Sequence, residues 1–187
     1  MSEEQDKKKE STLSREIDKL YIEERKVFLW GQVDDDSAKH VIDRLLYLDS
    51  KDPGKEITLI INSPGGYVTS GFAIHDVMKS LKSPISTVCM GLAASMGSIL
   101  LSAGTKGKRK IYPHAKVMIH QPSGGARGVS SDIEIQAIEI LKTKEIGAKI
   151  LADNCGQTME KVMKDFNRDY WMDAEESVAY GIVDTIL

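Results

Sequence analysis

The sequence predicts an α/β domain built from successive strand–helix units. Two apolar runs rich in β-branched residues, Ile57–Ile61 and Ile85–Met90, are each followed by a turn of small residues and then by apolar residues at helical spacing. A nearly continuous β-branched run is typical of a strand buried on both faces of a parallel sheet. With 187 residues, the chain is long enough for one well-buried core, and alternation of strands with helices indicates the α/β class.

The composition is that of a globular domain and argues against several functions. Apolar residues make up 41% and charged residues 28% of the chain, and the net charge of −3 leaves no basic excess to neutralise nucleic-acid phosphates. Only Cys89 and Cys155 are present, which suits a reducing compartment, so we expect a cytoplasmic protein. Met1–Glu10 lacks the apolar core of a secretory signal. The uncharged stretch Ser83–Thr105 contains proline and glycine, and a buried strand and helix explain it better than a membrane span.

The predicted elements of the N-terminal half follow in order. We expect a charged tail at residues 1–12 and a helix at the domain edge at residues 15–25. A strand at residues 27–30 and a helix at residues 36–48, capped by Asp35 or Asp36, should follow. The strand Ile57–Ile61 and a helix to about Leu81 form the next unit. The strand 85–90 and a helix that ends at Ser102 repeat it.

The C-terminal half is predicted to contain a long helix and a short closing unit. We expect a basic loop at Lys106–Lys110 and a strand at Lys116–Ile119. A loop rich in proline and glycine should follow at Gln121–Gly128. The long helix spans about residues 131–154, with Ser131 and Glu134 as a capping box. A shorter helix follows at Thr158–Asn167, and another helix begins at Asp173 and ends at Gly181. The strand Ile182–Ile186 completes a single domain that spans residues 13–187.

The stretch Gly91–Gly97 surrounds Ser95 with small residues at a predicted strand-to-helix turn. The pattern small-x-Ser-x-Gly is related to the nucleophile elbow, with Ala93 where a glycine is commoner. The unpaired N–H groups at a helix start suit an oxygen that gains negative charge. From these residues alone, a seam of small residues where a helix packs on a sheet is the alternative.

A second glycine-rich turn, Pro64-Gly65-Gly66, also follows a predicted strand. Such a turn can present bare backbone N–H groups, and an oxyanion hole needs two donors that converge on one point. The alternative is a turn that only requires a positive φ angle.

His120 is the histidine best placed to serve a serine nucleophile. It ends the apolar strand Val117–Ile119, and chemistry in α/β sheets gathers at strand ends. A carboxylate must then orient the imidazole, and Asp169 lies between two predicted helices beside Arg168. A histidine that only closes a strand, and a loop acid that only pairs with its neighbour, remain as alternatives from the residues alone.

Four motifs together resemble the proteolytic subunit of the Clp protease: Ile61–Gly66, Gly91–Gly97, Val117–Pro122 with Gly124-Gly125, and Ala179–Asp184. The resemblance runs in order from about Val27 to the C-terminus. It implies a crotonase-like fold of stacked strand–helix units from which the long helix protrudes as a handle.

The resemblance also implies a serine endopeptidase with Ser95 as nucleophile, His120 as general base and Asp169 as the acid that orients it. The N–H groups of two residues would form the oxyanion hole, at Gly66 and Met96. The peptide would lie extended along Gly66, Tyr67, Val68, Ser123, Gly124 and Gly125. Arg168 would make a contact between neighbours in a ring, and neither a metal nor an organic cofactor is expected.

The resemblance implies a homo-oligomer of two stacked heptameric rings that receives unfolded polypeptides from a partner AAA+ unfoldase ATPase. No Walker motif occurs in the chain, so the partner is expected to use the ATP. Two departures are present. Met1–Glu10 does not match the family's gating segment, and Thr58, Ile60 and Lys110 stand where the family's docking sites are usually aromatic.

Two other functions remain as alternatives. An acyl-CoA hydratase or isomerase shares the fold and the paired oxyanion donors, but it would need a CoA site and gives the Ser95, His120 and Asp169 set no purpose. A catalytically idle subunit of a mixed-ring barrel, paired with a paralogous subunit, would fit the altered docking positions, although the complete set of three residues argues against it.

Overall fold

The centre of the fold is a largely parallel sheet. The computed structural model describes residues 2–125 and 127–187, and the strands found there form one seven-stranded sheet. Their bounds are β1 Lys26–Trp30, β2 Ile57–Ser63, β3 Ile85–Ala94, β4 Arg109–Ile111, β5 Lys116–Ile119, β6 Tyr170–Met172 and β7 Thr185–Ile186. The order is β1-β2-β3-β4-β7, while β5 pairs with the end of β3, and β6 pairs antiparallel with β5.

The helices connect these strands, and capping side chains fix the starts of several of them. Their bounds are α1 Ser2–Glu23, α2 Asp35–Lys51, α3 Val68–Ser80, α4 Met96–Ser102, α5 Ser130–Cys155, α6 Met159–Asp165 and α7 Ala174–Tyr180. The predicted cap of α7 is confirmed, because the Asp173 carboxylate accepts from the Glu176 N–H. The cap of α2 is Asp34, which accepts from Ser37 N–H, and the predicted Asp35 or Asp36 is wrong because both already lie inside the helix.

The core lies between the central strands and the helices. Ile57, Leu59 and Ile61 alternate along β2 and are fully buried, as are Leu100 and Leu101 of α4. Burial of each such side chain contributes roughly 1.5–3 kcal/mol. The prediction of a strand buried on both faces is therefore confirmed for one face only, because Thr58 on the opposite face is half-buried and lines a groove together with Ile60. No helix in the described residues combines the length and the apolar character that a membrane span requires.

The N-terminal segment differs from the prediction. Helix α1 runs from Ser2 to Glu23 and crosses the boundary at residue 12 that we placed between a solvated tail and a helix. Lysine, glutamate and glutamine are good helix formers, so a charged composition that suggests a tail is also compatible with a helix.

Other differences concern short strands and one cap. Strand β4 lies partly in the predicted basic loop, and β6 was not predicted, because three residues are too few to show a period of two. Helix α5 starts at Ser130 without a side-chain cap, so the predicted box of Ser131 and Glu134 is wrong. Strand β7 is also shorter than the predicted Ile182–Ile186.

Arg109 ties the residue before the last strand to the C-terminal end of α5. Its buried guanidinium donates to both carboxylate oxygens of Asp184, from Nε at 3.0 Å and from Nη2 at 2.5 Å, and Nη1 donates to the Asn154 carbonyl at 2.9 Å. Burial acts to raise the pKa of Asp184, but the hydrogen bonds from Arg109 and from the Gly107 N–H outweigh it and hold that pKa below its usual value. The ionised pair therefore contributes to stability.

We expect Asp184→Asn to lower the free energy of unfolding at pH 7 by about 3 kcal/mol, because it leaves a buried guanidinium unpaired. The carboxylate's contribution to stability is fully present above its unfolded pKa of about 3.9 and is lost as pH falls through its lowered pKa in the folded protein. The free energy of unfolding of the variant should therefore fall less steeply below about pH 4 than that of the wild type. Urea unfolding at fixed protein concentration, at pH 7 and pH 3, measures both. Asp153→Asn, which breaks an exposed pair with Lys149, is the control and should cost less than about 1 kcal/mol. Equal losses in the two variants at pH 7 would contradict this account.

Candidate active site

Ser95 stands at the junction of β3 and α4 in a conformation that is rare outside glycine. Its φ and ψ angles are 53° and −122°. The Ser95 N–H donates to the Met118 carbonyl at 2.9 Å, and the Ser98 hydroxyl donates to the Ser95 carbonyl at 2.6 Å. These bonds hold the turn against β5 and against the first turn of α4. The half-buried Ser95 thus sits on the sharp strand-to-helix turn that a nucleophile elbow requires.

The turn after β2 packs directly against the Ser95 turn. A methyl group on Gly65 would lie 2.6 Å from Ser95 Cβ and 3.0 Å from Met96 N, and the φ angle of Gly65 is +91°. Both the close approach and the backbone angle require glycine at this position. The two glycine-rich turns that the sequence singled out are therefore in contact.

Two unpaired backbone donors lie at this contact. Val33 and Gly66 form a parallel bridge, in which Val33 N–H donates to the Gly65 carbonyl at 2.8 Å and Tyr67 N–H donates to the Val33 carbonyl at 2.7 Å. The Gly66 N–H takes part in neither of these two hydrogen bonds. The Met96 N–H begins α4 and has no intrahelical acceptor. Among the described residues, neither the Gly66 nor the Met96 N–H group has a hydrogen-bond acceptor.

His120 and Asp169 meet because β5 and β6 pair. The antiparallel register places Ile119 opposite Tyr170, so the residues next to them in the chain adjoin. His120 Nδ1 lies 2.9 Å from Asp169 Oδ1, with side chains 26% and 61% exposed. An ionised carboxylate can only accept a hydrogen bond, so Nδ1 is the donor and Nε2 of the neutral ring is left as an acceptor.

Ser95 and His120 both line one small cavity. Its volume is about 20 Å³, enough for about one water molecule. The hydrogen bonds of the described residues include none between Ser95 Oγ and His120, so the structure brings the two residues to one cavity without a direct bond between them. The remaining lining residues are mainly apolar: Val68, Phe72, Met96, Ile99, Pro122, Thr143, Gly147 and Phe166.

Of the other residues that we predicted to bind peptide, one lines this cavity and the rest lie on chain segments next to its lining residues. Val68 lines it, and Gly66 and Tyr67 are exposed on the adjoining turn. The segment Ser123–Gly125 is exposed in the loop after His120, and a methyl group on Gly124 would lie 3.2 Å from the Ile140 side chain, so this loop runs against α5.

Arg168 is exposed beside Asp169, and the ion pairs of the described residues include none that it makes. Its role as a contact between ring neighbours stays a prediction.

The three residues that stand where the family's docking sites are usually aromatic line a groove separate from the cavity. Thr58, Ile60 and Lys110 lie across β2 and β4 in a groove of about 680 Å³. Its aromatic side chains come from other positions, which we did not single out from the sequence: Tyr21, Phe28, Trp30 and Tyr112. The register pairs Lys26 with Thr58 and Phe28 with Ile60, and strand periodicity gives Phe28 and Trp30 of β1 one face.

Sequence reasoning also missed three residues of the cavity wall. Thr143 and Gly147 belong to α5, and Phe166 follows α6. The spacing of apolar residues does not reveal which face of α5 meets the site, because both faces carry isoleucine and leucine. A glycine in a helix interior was the one available signal.

The family model for Clp protease matches residues 8–187. The matched range contains every residue assigned above to the cavity, to the His120–Asp169 pair and to the two glycine-rich turns.

We expect Gly65→Ala to destabilise the fold by about 1–3 kcal/mol more than Gly54→Ala, because its methyl group would overlap Ser95. Gly54 is the matched control, since its φ angle is +85° and a methyl group there meets nothing within 4 Å. Urea unfolding of both variants measures the difference. Equal free energies of unfolding would show that only the backbone angle matters at position 65.

Proposed function

The chain belongs to the Clp protease family, and we propose that it is a serine endopeptidase whose reacting groups are Ser95, His120 and Asp169. Family membership makes it a peptidase subunit of the Clp protease fold and not an acyl-CoA hydratase. The observation that carries the residue assignment is the hydrogen bond of 2.9 Å between His120 and Asp169 at the edge of the cavity that Ser95 also lines.

In the proposed first step, Ser95 Oγ attacks the carbonyl carbon of the scissile bond while His120 Nε2 takes the hydroxyl proton. The carbonyl oxygen becomes negative and is bound by the N–H groups of Gly66 and Met96, which are otherwise unpaired among the described residues. His120 then gives the proton to the leaving amine, and an acyl group remains on Ser95. Water repeats the sequence and releases the acid, so these steps need neither a metal nor an organic cofactor.

Asp169 has the role of orienting the base. Its bond to Nδ1 selects the tautomer in which Nε2 can accept a proton, and its charge stabilises the imidazolium that forms. The mechanism also requires Ser95 Oγ to reach Nε2. Both residues already face one cavity, and hydrogen bonds of this kind often tighten only when substrate binds.

We further propose that the chain acts in a barrel of two stacked heptameric rings, in which α5 is the handle and an AAA+ unfoldase delivers unfolded polypeptides. In support, α5 exposes a set of large apolar side chains that water alone does not favour: Ile133, Ile135, Ile138, Leu141 and Ile146. The aromatic groove beside Thr58, Ile60 and Lys110 is the proposed docking surface for the ATPase.

We expect Ser95→Ala and His120→Ala each to lower kcat/KM on a short fluorogenic peptide by about a thousandfold or more, since members of such a set act as a unit. Ser95→Ala should also abolish covalent labelling by a fluorophosphonate. Ser80→Ala and His114→Ala, at exposed positions outside the cavity, are the matched controls. The native mass should be unchanged in all four variants, and labelling that persists without the Ser95 hydroxyl would remove it from the mechanism.

We expect Trp30→Ala to reduce degradation of a folded protein in the presence of the cognate AAA+ ATPase and ATP by about tenfold, because Trp30 is exposed and tryptophans that become buried on binding are common hot spots. Cleavage of short peptides should be unaffected, because the groove is separate from the cavity. Tyr47→Ala removes an exposed aromatic ring outside the groove and is the control. Native mass spectrometry of the same samples should show fourteen chains, and equal rates in the two variants would remove the groove from docking.

A further inference from the structure

Gln121 directly follows His120 and connects its segment to the segment that carries Asp169. The Gln121 backbone N–H donates to the Phe166 carbonyl at 2.5 Å. Its side-chain Nε2 donates to the Asn167 carbonyl at 2.8 Å and, more weakly, to the Asn167 side-chain oxygen at 3.4 Å. The half-buried side chain of Gln121 therefore binds the chain two residues before Asp169.

The segment from Asn167 to Asp169 lies outside both of the elements that it connects. Helix α6 ends at Asp165, with Phe166 as its cap, and β6 begins at Tyr170. All three residues of the segment are exposed, so burial in the core does not fix them. Exposed connections move more than the elements that they join, unless hydrogen bonds hold them. The bond at the Asn167 carbonyl supplies such a restraint.

The hydrogen bond between His120 and Asp169 depends on where this segment lies. The Asp169 side chain is 61% exposed, and among the described residues its carboxylate has no hydrogen-bond partner other than His120. Water can therefore compete for the carboxylate, and the bond of 2.9 Å persists only while the two segments keep their separation. A displacement of about 1 Å within a catalytic set can lower a rate by about a hundredfold.

We propose that Gln121 is a positioning residue for the general base. Its side-chain amide donates to the Asn167 carbonyl and thereby holds Asp169 where the carboxylate can orient the His120 ring. The inference rests on the proposed function, since this orientation matters to the rate only if His120 is the base. Gln121 acts through Asp169, so loss of its side-chain bond should lower kcat and leave KM nearly unchanged.

Gln121→Met tests the side-chain bond by itself. Methionine is similar in length and has no side-chain N–H donor, while the backbone N–H of residue 121 can still donate to Phe166. In the full-length assembled protein, we expect kcat on a short fluorogenic peptide to fall about tenfold, with KM within about twofold of the wild type. Gln121→Asn, whose amide is one methylene group too short to reach Asn167, should lose as much.

Gln157→Met is the matched control. Gln157 is also half-buried, and its Nε2 donates to a backbone carbonyl, that of Tyr180, at the same distance of 2.8 Å. This glutamine does not line the cavity. The two methionine variants should therefore lose comparable free energies of unfolding in urea, but the control should keep kcat within about twofold of the wild type.

A double-mutant cycle with Asp169→Ala shows whether Gln121 acts through Asp169. Asp169→Ala alone should lower kcat by about a thousandfold or more, and addition of Gln121→Met should then lower it by less than about twofold. If Gln121→Met fails to fold, Gln121→Asn takes its place in the cycle.

Two results would overturn the inference. The first is a folded variant of Gln121 with kcat within about twofold of the wild type, and the second is an equal loss of kcat with and without the Asp169 carboxylate, which indicates a general disturbance of the site. In both cases, peptide cleavage by the wild type and its loss in Ser95→Ala would uphold the proposed function. A wild-type protein that cleaves no peptide, or an Asp169→Ala variant with the wild-type kcat, would overturn the proposed roles of these residues and this inference with them.

Discussion

The contact between the turn at Gly65 and the turn at Ser95 is the constraint on which the candidate site depends. Strands β2 and β3 are parallel neighbours whose register brings Ser63 opposite Ala93, so both turns leave the sheet at the same edge. Because residue 65 has no side chain, the turn that carries the free Gly66 N–H touches the turn that carries Ser95 and the free Met96 N–H. Contacts of the backbone therefore assemble this half of the candidate site.

Strand β5 joins this half to the other. Its Met118 carbonyl accepts from the Ser95 N–H, and two residues later the chain presents His120. On its other edge, β5 pairs with β6, which holds Asp169 within hydrogen-bond distance of a histidine 49 positions away in the sequence. A change in the register of β3 with β5 would move Ser95 relative to His120, and a change in the register of β5 with β6 would move His120 relative to Asp169.

Local signals predicted the parts of the fold that depend on local chemistry. The β-branched run of β2, the turns of small residues and the cap of α7 at Asp173 could all be read from neighbouring residues. The Ser131–Glu134 pattern failed because the same spacing also occurs inside a helix, where no cap is formed. The short strands β4 and β6 exist through long-range pairing, as does the ion pair of Arg109 with Asp184, which lie 75 positions apart. Likewise, position in the sequence could not select Asp169 from 28 acidic residues, and only the family resemblance did so. Asp169 lies beside His120 because of the register between β5 and β6, which the sequence does not reveal.

The backbone angles of Ser95 carry a thermodynamic consequence. A side chain at φ 53° and ψ −122° occupies a region that glycine tolerates far better, and holding a residue there costs on the order of 1–3 kcal/mol. Glycine at this position would give a more stable molecule that has no hydroxyl to offer. The most strained residue of the elbow is thus the one that we propose as the nucleophile, and selection for thermal stability alone would favour its replacement.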